Sequence, residues 1–456
     1  MVATPTPHPI PYVPRPPFSL ALAETLLDTY GSPLYVYEGD RLHQTIQHIT
    51  QAIPYPQTRF HFASVTNGNI ALLQIFREAG WGLHANTPGD IYLGLHAGFH
   101  PSQIIYSGSN LDRAEMEQLF HWGITTLNLD SLAQVQLCCE TWQALALEGA
   151  QQNESAKTPY APSTPSTLSR SLPLHPSPSP PFPLSSPTPH LGLRLNFPAL
   201  TGDSRIGVHP DDFPAAVALA QQAGLQIKGL HFYRGTGTNA TAAFTEAIDT
   251  VLTLASQLPD WTYLDFGGGF GYPYHHGSVA FDWYEFGAAL SDRLTQIDRP
   301  VDLVIEPGRA AIAGCASLLA RVVSVKWQGE KQIVGVDTTV ANLSVPSVHG
   351  GYRAIVTWQN ELEGKPKQPL YLTDVCGNTT YSRDYLGKHC QLPALAIGDV
   401  LAVLDVGAYG YAMSSHFLHR PRPAEVLSEG NDHRLIRQRE DYSALLANQI
   451  FGSGVL

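Results

Sequence analysis

Two stretches of this chain carry residue types that could do chemistry. Leu264–Tyr274 reads LDFGGGFGYPY, an apolar run with Asp265 at its end that stops in Gly267, Gly268 and Gly269. Consecutive glycines let a backbone come close to a ligand and turn N–H groups toward it, which is how an anion is cradled. Val301–Ala311 reads VDLVIEPGRAA, a β-rich run ending in Glu306, Pro307, Gly308 and Arg309, so that a carboxylate and a guanidinium stand at a strand end. Taken singly, the first also fits a bare turn and the second a surface loop. Strand ends facing one mouth are where an α/β barrel keeps its chemistry.

The elements that must position these residues alternate. Strand-like Phe60–Ser64, Gly82–Ala85, Gln103–Tyr106, Thr125–Leu129, Leu191–Asn196, Ile227–Phe232 and Trp261–Phe266 are interleaved with helical spacing over Ile70–Ala79, Asp90–Ala97, Arg113–Trp122, Ala133–Leu147, Pro210–Ala223 and Ala240–Leu258. That rhythm from residue 40 to 309 predicts an α/β fold of barrel type, though period alone fixes neither strand number nor closure. Ahead of it, residues 1–17 are proline-rich and read as a flexible arm, and 18–39 as a helix over Phe18–Tyr30 and a strand at Leu34–Tyr37. Beyond residue 310 the pattern turns to strands: Ser317–Trp327, Gln332–Asp337, Arg353–Thr357, Gln368–Thr373 and Val400–Leu404. These predict a β-sandwich-like domain over 310–456. Residues 151–190 are dominated by Pro and Ser and predict a disordered insert, either neutral or a polyproline ligand for a partner.

The chain has 456 residues, 43% of them hydrophobic, enough for two or three domains with sizeable cores. A net charge of −12 argues against nucleic acid and favours a small metabolite. Five irregularly spaced cysteines form neither a disulfide frame nor a zinc site, which fits a reducing, cytoplasmic location and no metal. No signal-peptide core and no run of about eighteen apolar residues occurs, so no membrane association is expected.

Together these segments resemble the amino-acid decarboxylases of the alanine-racemase fold that use pyridoxal 5′-phosphate (PLP), with diaminopimelate decarboxylases most similar. The resemblance implies a (β/α)8 barrel, a β-domain shared with the strand near Tyr35, and a homodimer with shared pockets. It implies that Gly267, Gly268, Gly269, Gly308, Arg309, Thr236 and Tyr409 hold the PLP phosphate, that Glu306 pairs with the pyridine nitrogen, and that Arg194 lines the site. Cys376 matches a cysteine that enters the neighbouring subunit's pocket as a proton donor. Arg194 with Glu306 also fits a plain ion pair, Tyr409 a core tyrosine and Cys376 a buried thiol.

The departures from the family pattern are chemical. Where members carry Tyr-Ala-x-Lys-Ala-Asn, this chain reads Phe62-Ala63-Ser64-Val65-Thr66-Asn67, so Val65 replaces the lysine that forms the Schiff base. A valine cannot form an imine. The family aspartate of the second strand is His84, and the ring-stacking histidine is Tyr233, followed by Arg234. The substrate-carboxylate arginine is Val345, its neighbouring tyrosine is His349, and the acid after the cysteine is Gly377. The resemblance therefore implies a carbon–carbon lyase fold that binds PLP, or a PLP–amino acid aldimine, non-covalently and without lysine-dependent turnover. The alternatives are a slow or divergent decarboxylase or racemase, and a regulatory pseudoenzyme that acts through a partner.

Overall fold

The computed structural model describes residues 12–156, 188–235, 237–359 and 367–450. An amino-terminal helix, Leu20–Tyr30, is capped by Ser19, whose side chain accepts from the Leu22 N–H, and leads into β1 (Leu34–Glu38). The helix Gly39–Ala52 follows, burying Leu42, Ile46, Ile49 and Ala52 along one face at three- and four-residue spacing.

Eight parallel strands then close a barrel: β2 (Thr58–Ala63), β3 (Gly82–Ala85), β4 (Ile104–Tyr106), β5 (Thr126–Leu129), β6 (His190–Arg194), β7 (Ile227–His231), β8 (Tyr263–Asp265) and β9 (Asp302–Ile305). Closure is direct, Thr58 to Phe60 of β2 pairing with Leu303 to Ile305 of β9. The interior is packed with side chains. Tyr263 reaches across it to donate to Asn128 Oδ1 at 2.8 Å, and it has room because β6 and β7 present Gly192 and Gly229. A Cβ at Gly192 would meet the Tyr263 hydroxyl at 2.1 Å, and one at Gly229 the ring at 2.2 Å.

The remaining strands are β10 (Ala316–Gln328), β11 (Lys331–Val336), β12 (Ile355–Val356), β13 (Leu370–Cys376), β14 (Tyr385–Pro393), β15 (Val400–Val403), β16 (Ala424–Glu429) and β17 (Asp432–Arg437). With β1 they form a nine-stranded mixed sheet. Thirteen-residue β10 joins its two halves, pairing with β1 and β15 through Ala316–Arg321 and with β11 beyond a register shift at Val322 to Ser324. β1 lies between β10 and β16, so the amino-terminal strand belongs to the carboxy-terminal sheet.

Several boundaries differ from those the sequence predicts. The helix expected to end at Leu147 runs over Leu132–Ala156, so six residues assigned to the insert continue a helix, and 157–187 lie outside the described residues. The helix expected over Ala240–Leu258 is two, Thr241–Thr245 and Ile248–Ala255. The arm is tied down from residue 12 onward. Tyr12 exchanges backbone hydrogen bonds with Ser278 and Gly277, and its hydroxyl donates to Asp405, which also accepts from Tyr272 at 2.9 Å. Among the described residues no helix is long and apolar enough to cross a membrane.

Candidate active site

The carboxyl ends of the barrel strands converge on a cavity of about 290 Å3. Its lining brings together Val65 from the turn after β2, Arg194 from the end of β6, Tyr233 after β7, Gly268 and Gly269 after β8, Glu306, Gly308 and Arg309 after β9, and Tyr409 from the sheet domain. Gly267 lies behind this wall, its N–H donating to Asp265 Oδ1 at 2.9 Å and its carbonyl accepting from the Glu306 N–H at 2.8 Å. His349 lines a second, outer cavity of about 530 Å3, which shares Gly237, Arg309 and Tyr409 with the first. Cys376 ends β13 half-buried, and neither it nor Gly377 lines either cavity of its own chain. Thr236 lies outside the described residues.

The floor is a buried polar cluster. Asn128 donates to Asp265 Oδ2 at 2.8 Å and to Ser107 at 3.0 Å, so the interior packing that fixes Asn128 also fixes Asp265. Burial pushes the Asp265 carboxyl well above the ordinary range, and the neighbouring Glu306 charge adds to this. Glu306 is itself pushed up to about 7 by burial, against the opposing pull of the hydrogen bond from Asp265 and of Arg194. His84 Nε2 and His231 Nε2 stand 3.4 and 3.5 Å from Glu306 Oε2. Burial holds His231 down at about 4 and His84 well below its usual value, so both imidazoles are neutral and neither contact is an ion pair. His231, Asp265 and Glu306 bring ligand-capable atoms within 4.8 Å of one another, but both Asp265 oxygens are already engaged by protein N–H groups.

The opposite wall suits an anion. Gly269 has φ of +96°, a conformation that L side chains rarely adopt, and a Cβ there would meet the Gly235 carbonyl at 2.6 Å. A Cβ at Gly308 would meet Thr66 Cγ2 at 2.7 Å. At both positions the chain is packed too closely for a side chain. Arg309 donates to the Tyr274 hydroxyl at 3.3 Å, lies 4.9 Å from the Tyr409 ring centroid, and has no acidic partner among the described residues. Arg194 stacks over Tyr233 at 5.0 Å.

PLP has a dianionic phosphate and a pyridine nitrogen, and the residues present fit both. Arg309 and the glycine wall offer a place for the phosphate. The buried Oε1 of Glu306 has no hydrogen-bond partner, which is what a carboxyl meant for a ring nitrogen leaves behind. The turn after β2 brings a hydrocarbon and no amine to the cavity. Val65 sits in the 3-10 turn Ser64–Thr66 between two buried neighbours while remaining 43% exposed. The turn is fixed: Ser64 Oγ donates to the His84 carbonyl at 3.0 Å, and Thr66 Oγ1 to the Ala63 carbonyl at 2.8 Å. Among the described residues no lysine lines either cavity.

Sequence reasoning passed over His231, Asn128 and Arg353. His231 had a legible signal, a titratable residue closing an apolar strand. The importance of Asn128 and Arg353 depends on partners distant in sequence.

Comparison with known proteins agrees with this geometry. The profile of the pyridoxal-dependent decarboxylases, described by their C-terminal sheet domain, matches residues 34–407. Diaminopimelate decarboxylase of Methanothermobacter thermautotrophicus is 30% identical over 442 residues, covering 94% of each chain. The crystal structure of AQ1208 from Aquifex aeolicus superposes with a TM-score of 0.76 at 25% identity, covering 93% of each chain. That of diaminopimelate decarboxylase from M. jannaschii with L-lysine gives 0.77 at 22% identity over 94% of each, a likeness of fold. Barrel, sheet domain and cavity thus coincide with a matched profile that spans most of the chain, and the protein belongs to the PLP-dependent decarboxylase family typified by diaminopimelate decarboxylase.

Proposed function

We propose that this chain binds PLP, free or already joined to an amino acid, without covalent attachment and without lysine-dependent turnover. The observation that carries the reading is a single contrast within one cavity: Gly268, Gly269 and Gly308 beside an Arg309 with no acidic partner among the described residues, and the hydrocarbon of Val65 at the turn after β2.

When bound, PLP supplies an electron sink for a bond broken at the α-carbon of an amino acid. The chain's own groups then have defined tasks. Arg309 and Tyr409 would hold the phosphate, and the buried Glu306 carboxyl would pair with the ring nitrogen. Tyr233 offers its ring as a stacking face, backed by Arg194. Val65 can neither form an imine nor carry a proton, so the exchange that normally loads substrate and releases product has no residue to perform it.

The test is spectroscopic. Purified protein should retain PLP through gel filtration and lose it on dialysis, and borohydride treatment should leave no pyridoxyl–lysine mass adduct. A reduced lysine adduct would overturn the reading. A second reading is slow turnover of a preformed adduct, favoured by the neutral His84 and His231 on the floor and by Cys376, whose thiol is kept protonated by burial and by Asp374 and Asp384. It requires a homodimer in which Cys376 serves the neighbouring pocket. Release of labelled CO2 from a panel of amino acids would separate the two readings.

A further inference from the structure

The outer cavity contains a charge that the fold does not explain. Arg353 is 3% exposed, and its guanidinium Cζ packs 3.8 Å from the centroid of the Tyr274 ring. Nη1 donates to the Tyr352 carbonyl at 2.7 Å, but Nε and Nη2 are buried with no hydrogen-bond partner. No carboxylate comes within ion-pair distance among the described residues. Asp405 acts on it from further away and is already engaged by Tyr12 and Tyr272. A guanidinium cannot shed its proton to escape burial. An uncompensated buried cation is costly, and a fork of unused N–H donors is the geometry that grips a carboxylate.

Arg309 adds a second guanidinium to this wall, and among the described residues no Asp or Glu lines the cavity. The two cavities meet at Gly237, Arg309 and Tyr409, so a ligand held in the inner one can extend into the outer one, which Arg353 lines.

We propose that the outer cavity receives the acidic end of the ligand: a carboxylate on the side chain of an amino acid, held in the fork of Arg353, and not the terminal ammonium of a diamino acid. This rests on the inner cavity holding the phosphate. A lone distal ammonium would meet two guanidinium groups and, among the described residues, no lining carboxylate, so the cavity selects by repulsion as well as by attraction.

The experiment is calorimetric titration of the full chain, with and without saturating PLP, using L-aspartate, L-glutamate, L-2-aminoadipate, L-lysine and L-ornithine. PLP retention is measured separately by absorbance. At least one of the three acidic amino acids should bind at least tenfold tighter than L-lysine. Arg353→Gln should erase that preference and change PLP retention less than twofold. Val345→Glu provides a second variant. A Cβ at Gly351 would lie 2.7 Å from Val345 Cγ1 and 3.7 Å from Arg353 Nη1, so a carboxylate introduced at 345 stands beside the guanidinium and competes with a ligand for it. It should abolish binding of acidic ligands and raise the melting temperature. L-Lysine or L-ornithine binding as tightly as the acids, or a preference that survives both variants, overturns the proposal. PLP retained with no acidic preference defeats this inference alone. Acidic ligands bound through Arg353 with no PLP retained defeats the cofactor reading alone.

Discussion

The guanidinium of Arg309 lies 4.9 Å from the centre of the Tyr409 ring, and this pair forms the wall common to both cavities. Arg309 follows the last barrel strand, whereas Tyr409 follows β15 of the sheet domain. Tyr409 is held with φ of +60° by its N–H donating to the Thr66 carbonyl at 2.9 Å, in the turn that carries Val65. The site is therefore assembled where the two domains meet.

Replacing Arg309 with glutamine should weaken PLP retention by about 10- to 100-fold, the loss expected for charge-assisted hydrogen bonds to a phosphate. Fluorescence titration with PLP reads this directly. An unchanged affinity would place the phosphate elsewhere.

Val65→Lys should give PLP an amine to react with. The position is 43% exposed, so stability should change by no more than about 0.5 kcal/mol. Borohydride should then fix pyridoxyl to residue 65, identified by peptide mass mapping. A variant that retains PLP but is never reduced onto this lysine would show that the turn after β2 does not face the aldehyde.

Gly269→Ala should cost about 1–3 kcal/mol, because its φ of +96° disfavours a side chain and the Gly235 carbonyl lies 2.6 Å from the added atom. Urea denaturation measures the loss. A neutral result would mean that the loop after β8 relaxes freely.

Stability should depend on pH through the buried groups, with opposite signs. His61, held at about 3 by burial, and His231, at about 4, stay neutral in the fold while the unfolded chain takes up protons below about 6.5. Their contribution is present above that value and is lost as the pH falls, with a slope of about 1.4 kcal/mol per unit for each proton. Glu306 behaves in reverse. Its folded carboxyl near 7 keeps a proton that the unfolded chain releases above about 4.5, so its contribution is present at low pH and lost as the pH rises through 7. His61→Leu should flatten the acid limb, and Glu306→Gln should flatten the loss between pH 5 and 7.5. Denaturation curves that run parallel to wild type in both variants would contradict these assignments.

Much of the barrel was legible because its strands are short apolar runs bounded by glycine and polar turns, and Gly82–Ala85 falls where it was expected. The helices Gly39–Ala52 and Trp283–Thr295 went unread although their apolar spacing was available, and so did β14, β16 and β17, where polar residues interrupt the alternation. Within the site, Glu306, Arg309 and the glycines announced themselves by residue type. Arg353 did not. Read as the start of a strand, it leaves the sheet before β12 begins and becomes notable only because nothing in three dimensions pairs with its Nε and Nη2.

The docking of Tyr12 has a practical side. Its phenol meets a carboxylate 393 positions later, and that carboxylate also steadies Tyr272, one panel of the outer chamber. Trimming the front of the polypeptide, or fusing a bulky tag there, would remove a brace from the chamber while leaving every lining side chain in the sequence. A purification handle placed at the far end avoids that risk.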